Sequence, residues 1–394
     1  MGDRRIICYV GRDFGTPEEA CGTADRSFTN WELCKPMQGI PRTEVYGLIL
    51  AGGRGARLWP LSRRQSPKPF LSIGCGRSLL QQTVHRILPL IPLERLYVSI
   101  GEQFVAEAVS HVTGIPLDNI LSEPISRNTA PAIGFAAMTL KQRHGDGVMA
   151  VLPADHYIED AAALRQTVAF GACLLDQYPE ALLTVGVPAV RPETGYGYIR
   201  RGSAVSGAYR EAFLVERFVE KPDRAKAEAF VADGSYFWNS GMFIWRISGI
   251  LSALKKHLPV LHEALCVHVQ GAGQHDSRSA GEFFRSVESC SIDYGVMEKT
   301  SDAIVIPADI GWSDVGTWDV VAALAEGPPA ETVVCIETEE TWVRAGKRVV
   351  VVIGVPDAII VDTDDALLVC ARSRTQEVRR ATEELERRQL SHFL

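Results

Sequence analysis

Gly47-Leu-Ile-Leu-Ala-Gly-Gly-Arg-Gly-Ala-Arg57-Leu-Trp-Pro60, followed shortly by Pro67-Lys-Pro69, is the stretch on which the fold turns. Val45 to Leu50 is an apolar run of strand length, and it ends abruptly in Gly52, Gly53 and Gly55. Glycines there let backbone N–H groups come close to a guest that a Cβ would keep away, and phosphate is the usual guest. Arg57 then adds a fork of donors and Lys68 a mobile point charge, both suited to phosphate oxygens. Two other phosphate loops are excluded. No Lys-Ser or Lys-Thr follows these glycines, and Gly53-Arg-Gly55 is followed by Ala56-Arg-Leu58 rather than by a third glycine in register.

Outward from this loop, strand and helix patterns alternate. A helical stretch around Leu79–Leu88 precedes a strand at Leu96–Ile100, a helix near Glu102–Val112 and a short apolar step at Ile120–Leu121. Ala130–Lys141 reads as a helix, and Val148–Leu152 as a strand buried on both faces. Such alternation implies an α/β fold, a Rossmann-like and mostly parallel mixed sheet flanked by helices, with ligands beyond the carboxyl ends of the strands. After Trp318 the pattern changes to short β-rich pieces: Val333–Glu337, Thr341–Arg344, Val349–Ile353, Ala358–Val361 and Ala366–Cys370. A final helix is expected from about Thr375 to Gln389, and no internal repeat stands out. The expected organisation is an N-terminal extension over 1–44, a catalytic domain over 45–325 and a small C-terminal β-rich domain over 326–394. The extension lacks sustained periodicity and reads as a disordered segment or as a start placed too far upstream, with Met37 just before the first strand.

A net charge of −7 over 394 residues argues against a nucleic-acid partner, since little basic surplus is left to neutralise many phosphates. A local cluster of Arg54, Arg57, Arg63, Arg64 and Lys68 still suffices for one nucleotide. Nine cysteines, scattered without Cys-x-x-Cys or zinc spacing, read as reduced thiols, and no apolar run approaches a membrane span. The expectation is a cytoplasmic protein with no membrane contact.

Two acids are the candidates for metal binding. In Val151-Leu-Pro-Ala-Asp155-His156 an apolar strand ends in a carboxylate at the ligand side of the sheet, suited to Mg²⁺ with substrate phosphates. Taken alone, Asp155 reads as readily as a helix cap. In Gly311-Trp-Ser-Asp314-Val-Gly316-Thr-Trp318 the acids Asp309, Asp314 and Asp319 compete, and the glycines around Asp314 favour it by marking a constrained turn. His156 beside Asp155 could be a general base, but it reads as a structural hydrogen-bonding residue.

Val215-Glu-Arg-Phe-Val-Glu220-Lys221-Pro222 ends an alternating strand in a charged pair. Glu220 can accept from hydroxyls and Lys221 can reach a phosphate. Gly197 in Thr194-Gly-Tyr-Gly-Tyr-Ile199 and Gly241 in Phe237-Trp-Asn239-Ser-Gly241 permit close backbone approach, and Asn239 offers both a donor and an acceptor. Glu123-Pro-Ile-Ser-Arg-Asn128-Thr129-Ala130-Pro131-Ala132 opens a helix with Asn128 or Thr129 as a cap. Ser291-Ile-Asp-Tyr-Gly-Val-Met-Glu298-Lys299 has no role that its residues alone suggest.

Together these motifs resemble the sugar-nucleotide pyrophosphorylases, nucleotidyltransferases that join a nucleoside triphosphate to a sugar 1-phosphate, and within them the mannose-1-phosphate guanylyltransferases. The resemblance runs from Val45 to the end, with the motifs in the same order. It implies GTP and mannose 1-phosphate as substrates, GDP-mannose and pyrophosphate as products, Mg²⁺ on Asp155 and Asp314, and a homodimer. It further implies that Arg57, Lys68, Asp155 and Asp314 carry catalysis. Leu50, Ala51, Gly52, Gly53, Gly55, Asn128, Thr129 and Ala130 are then the nucleotide contacts, and Gly197, Glu220, Lys221 and Asn239 the sugar-phosphate contacts. One departure is Ala56, where relatives often carry Thr or another polar residue. Another hexose 1-phosphate as acceptor, or an inactive homologue that binds GDP-mannose as a regulator, are the alternatives left open.

Overall fold

The computed structural model describes residues 44–394, apart from 54, 75, 209, 269–276 and 326–330. The expectations for residues 1–43, Met37 among them, and for Arg54 lie outside the described residues.

The apolar run of the opening motif forms strand β1 (Val45–Leu50), with β2 (Leu96–Gly101) and β4 (Val148–Pro153) as its parallel neighbours. With β3 (Ile120–Glu123) they make the parallel half of a nine-stranded sheet ordered β3-β2-β1-β4-β9-β6-β10-β8-β7. The other half contains β6 (Leu182–Pro188), β7 (Tyr198–Ala204), β8 (Phe213–Val219), β9 (Tyr236–Arg246) and β10 (Ala303–Pro307). Strands β9 and β8 run antiparallel to their neighbours and all the others share one direction, so the sheet is mixed as expected. A two-residue ribbon, β5 (Tyr157–Ile158) against β11 (Trp312–Ser313), lies just beyond β4.

Alternation along the strands places Ile49, Val98 and Leu152 in one apolar layer and Leu48, Tyr97 and Val151 in the other. The first layer packs on α1 (Leu79–Ile87), α2 (Val105–His111) and α4 (Ala161–Gln177). The second packs on α3 (Thr129–His144), α6 (Ile247–His257), α7 (Pro259–His268) and α8 (Ser277–Ser286). Helix α5 (Arg224–Asp233) covers β9 near the sugar-side motifs. Burial on both faces explains why β1 and β4 read as continuous apolar runs. Helix ends carry the expected chemistry: Ser78 and Gln81 form a reciprocal capping box at α1, and Asn128 caps α3.

After α9 (Trp318–Leu324) the chain forms β12 (Val333–Ile336), β13 (Trp342–Arg344), β14 (Val350–Ile353), β15 (Ala358–Asp362) and β16 (Leu367–Ala371), then α10 (Val378–Arg387). Here one expectation is corrected. The strands do form a repeat, since Val333 pairs in parallel with Val350 and Trp342 with Ile359, each seventeen residues on. The spacing escaped sequence reading because short strands carry few equivalent side chains, and Trp342 bears no likeness to its partner Ile359. This region is joined to the sheet by a shared core in which Trp342, Ile359 and Val378 pack with Leu58, Trp59 and Trp318.

Candidate active site

Beyond Leu50 the chain turns away from the sheet after two hydrogen bonds that extend it, Ala51 N–H to the Ser99 carbonyl and Ala154 N–H to the Leu50 carbonyl. Gly53 and Gly55 both have positive φ, 110° and 64°. A Cβ on Gly55 would sit 2.6 Å from the Lys68 Cβ, so this glycine lets the loop close over the lysine. A Cβ on Gly53 would face Asp155 Oδ2 at 3.9 Å. The glycine loop therefore lies directly against the Lys68–Asp155 pair.

Lys68 is 6% exposed. Its ammonium lies 2.8 Å from Asp155 Oδ2 and donates to the Asp314 backbone carbonyl at 2.5 Å. Burial acts to raise the Asp155 carboxyl, but the neighbouring Lys68 ammonium prevails and holds it below the usual carboxylate range. Asp155 does not cap a helix: β5 follows it, and α4 is capped by Asp160. The β5–β11 ribbon draws the turn after Ser313 alongside, with Val315 at φ 48° and fully buried. Asp314 Oδ1 accepts from the Tyr196 hydroxyl at 2.8 Å and from Gly316 N–H at 3.1 Å. Of its competitors, Asp309 is exposed and Asp319 accepts from Thr375. Gly55, Arg57, Lys68, Asp155 and Asp314 line one cleft of about 640 Å³.

His156 accepts from the Trp312 indole N–H through Nδ1 at 3.1 Å. Burial, ahead of the opposing Asp155 charge, pushes its pKa down to about 4, so it is neutral near pH 7. His156 is thus held in a structural hydrogen bond, the kind of role expected from the sequence, with Trp312 as the partner that the sequence did not name.

The sugar-side motifs meet one another at the start of β7 and along β9. Asn239 N–H donates to the Gly197 carbonyl at 2.8 Å, and Lys221 N–H to that of Tyr196 at 3.2 Å. Glu220 Oε1 pairs with Lys221 Nζ at 2.5 Å, while Glu220 Oε2 is buried without a hydrogen-bond partner. A Cβ on Gly197 would come within 2.3 Å of that Oε2. A buried, unpartnered acceptor beside a residue that must lack a side chain is suited to a ligand hydroxyl. Burial acts to lower the Lys221 pKa, but its bond to Glu220 prevails and holds it above the ordinary lysine range.

The 291–299 motif, mute as sequence, ties these pieces together. Asp293 accepts from the Asn239 amide at 2.8 Å, and Glu298 accepts from Glu220 N–H at 2.9 Å. Ile292 N–H donates to Thr129 Oγ1 at 2.8 Å, and Ala130 N–H to the Cys290 carbonyl at 3.0 Å. Asn128, Thr129 and Ala130 thus stand at the α3 entrance, one segment away from the Glu220 pocket. Tyr196, next to Gly197, links that pocket to Asp314.

Comparison with known proteins adds the lineage. Residues 46–327 match the family described as nucleotidyl transferase. The chain belongs to the nucleotidyl transferase family. Residues 331–385 match a MannoseP isomerase/GMP-like beta-helix domain, in keeping with the parallel pairings of β12–β14 and β13–β15. Similar proteins include the mannose-1-phosphate guanylyltransferase of Escherichia coli K12, 40% identical over 88% of this chain and 74% of that protein. The xanthan biosynthesis protein XanB of Xanthomonas campestris is 40% identical over 87% of this chain and 74% of its own. A crystal structure described as mannose-1-phosphate geranyltransferase, from Thermus thermophilus, superposes with a TM-score of 0.77 at 35% identity, covering 87% of this chain and 99% of that one.

For a nucleotidyl transferase, the donor set suits Mg²⁺. The cleft offers two carboxylates, and Mg²⁺ characteristically takes one or two from the protein, leaving its other positions to water and phosphate oxygens. Among the described residues no group of three or more His, Cys, Asp or Glu comes together to hold a metal on its own. Sequence reasoning missed four residues that tie the candidate site together: Tyr196, Trp312, Asp293 and Glu298. Only the aromatic neighbours of Gly197 and Asp314 hinted at the first two.

Proposed function

We propose that the protein transfers a guanylyl group from GTP to α-D-mannose 1-phosphate, giving GDP-mannose and pyrophosphate. The observation that carries this reading is the Lys68–Asp155–Asp314 constellation beneath the glycine loop, connected through Tyr196 to the Glu220 pocket. Relatives 40% identical are named for this activity. A phosphate oxygen of the sugar phosphate forms a bond to the α-phosphorus of GTP. The bond from that phosphorus to the α,β-bridging oxygen breaks, and pyrophosphate leaves with the electron pair.

No protein nucleophile or base is required, so the chain contributes positioning and charge. The glycine loop from Leu50 to Gly55 and the α3 entrance at Asn128–Ala130 hold the nucleotide. Arg57 and Lys68 neutralise the departing pyrophosphate. Lys221 holds the attacking phosphate, while Glu220, Asn239 and the space at Gly197 take the sugar hydroxyls. Asp155 and Asp314 would hold Mg²⁺, which supplies charge neutralisation between the reacting phosphates.

Among the described residues no helix is long and apolar enough to cross a membrane. A cytoplasmic enzyme acting as a homodimer completes the reading. Val334 and Ile336 on β12, with Val351 and Ile353 on β14, form an exposed apolar face that supports a dimer. A matrix of nucleoside triphosphates against sugar 1-phosphates, with products identified by mass spectrometry, tests the function. GTP with mannose 1-phosphate is expected to be the best pair. A preference for UTP, dTTP or ATP would overturn the reading, and GDP-mannose binding without turnover of any pair would leave only a regulatory role.

A further inference from the structure

Arg379, Thr382, Glu383 and Glu386 recur at the spacing of a single helix face, and all four line the cleft that contains Arg57, Lys68 and Asp155. Other positions anchor the helix. Val378 is buried against Leu58, Trp59 and Trp318, and just before α10 the Thr375 hydroxyl donates to Asp319. The C-terminal domain therefore presents a polar stripe to the phosphate end of the site.

Both acids on the stripe are paired, Glu386 with Arg64 at 2.5 Å and Glu383 with Arg379 at 3.0 Å. The Arg379–Glu383 side chains are 65% and 60% exposed, and one-turn pairs in that setting are weakly held. Other cations of the cleft are committed elsewhere. Arg63 donates to the Phe393 carbonyl and to Asp365, and Arg64 is paired with Glu386. Arg379 adds to the cleft lined by Arg57 and Lys68 a planar fork of donors of the kind that suits phosphate oxygens.

We infer that Arg379 is a further phosphate-binding residue, which exchanges Glu383 for the terminal phosphates of the nucleoside triphosphate and for the pyrophosphate released. The inference rests on the nucleotidyl-transfer reading above. Glu383 is then a competitor, holding the guanidinium when the cleft is empty and repelling the phosphates when it is filled.

Calorimetric titration of the full chain with GTP, and separately with pyrophosphate, tests this in the wild type, Arg379→Gln, Glu383→Gln and Arg57→Gln. Arg379→Gln should weaken both ligands about tenfold, the cost of one charge-assisted fork, and leave the KM for mannose 1-phosphate unchanged. Glu383→Gln should tighten both about two- to threefold by freeing the guanidinium. Opposite signs are the signature, because a pair that merely stabilises α10 would move both variants the same way, and that result overturns the inference. Should Arg379→Gln lower Tm, Arg379→Lys serves in its place, with intermediate weakening expected and wild-type affinity contradicting the inference. If Arg57→Gln weakens binding and the Arg379 variants do not, only this inference falls. If neither position matters, the phosphate reading of the cleft falls with it.

Discussion

The ammonium of Lys68 stands 2.8 Å from the carboxylate of Asp155, two nearly buried groups brought together across the foot of the glycine loop. The same ammonium reaches the Asp314 carbonyl, so one cation joins both acidic turns of the cleft. That bond joins two motifs 246 residues apart in sequence.

Removing the lysine should therefore be felt in folding as well as in activity. Asp155 binds its proton less tightly in the folded than in the unfolded chain, so it contributes stability above the ordinary carboxylate range and loses it as pH falls through its lowered folded value. In Lys68→Met the main effect opposing burial is lost, leaving only His156 and a backbone hydrogen bond against it, so the Asp155 pKa rises and its contribution to stability shrinks. We expect a loss of about 2–3 kcal/mol at pH 7 that shrinks as pH falls toward 4. Urea unfolding from pH 4 to pH 8 checks this, and a penalty independent of pH would contradict it.

Asp293 behaves in the opposite way. Burial, reinforced by the nearby Glu220, raises its pKa to about 6. It binds its proton more tightly when folded, so the native state loses stability as pH rises from about 4 through about 6. Asp293→Asn should stabilise the protein at pH 7.5 by about 1–2 kcal/mol, discounted for partial exposure. The same change disturbs the acceptor that fixes Asn239, and should raise the KM for mannose 1-phosphate. Thermal melts and steady-state kinetics on one preparation measure both.

Gly197→Ala tests the sugar pocket by filling it. The new methyl would fall 2.3 Å from Glu220 Oε2 and 3.1 Å from Asn239 Cβ. Affinity for mannose 1-phosphate should drop about tenfold or more, GTP binding should persist, and stability should fall by about 1–3 kcal/mol. Separate titrations with each substrate distinguish this from a general loss of structure.

Features encoded within one strand and its following turn were legible in the sequence. β1 begins at Val45 and ends at Leu50 as its apolar run suggested, and β4 ends two residues before Asp155. Asn128 caps α3, as its position at the head of a helical pattern implied. Contacts between distant segments were not legible. Nothing near Tyr196 points to Asp314, and nothing near Asn239 points to Asp293, because those pairings exist only once β9 and the β5–β11 ribbon are in place. The terminal helix was expected from about Thr375 to Gln389, but a sequence does not say that one face of it lines the same cleft as Lys68 and Asp155. The repeat in the C-terminal strands was hidden because parallel coils ask for buried side chains at the same places, with no fixed residue at any of them.

Exchanging one carboxylate for an amide tests most directly whether nucleotidyl transfer takes place between Asp155 and Asp314. Turnover of GTP with mannose 1-phosphate should be measured against Mg²⁺ concentration for Asp155→Asn, Asp314→Asn and the exposed control Asp309→Asn. Asp155→Asn and Asp314→Asn should each lose about 3–4 kcal/mol of transition-state stabilisation, a hundredfold or more in rate. Asp314→Asn should keep a Tm near that of the wild type, whereas Asp155→Asn should lower it by leaving the buried Lys68 ammonium without its carboxylate. Asp309→Asn should remain close to wild type. Full activity in Asp314→Asn, or a collapse confined to Asp309→Asn, would contradict the account.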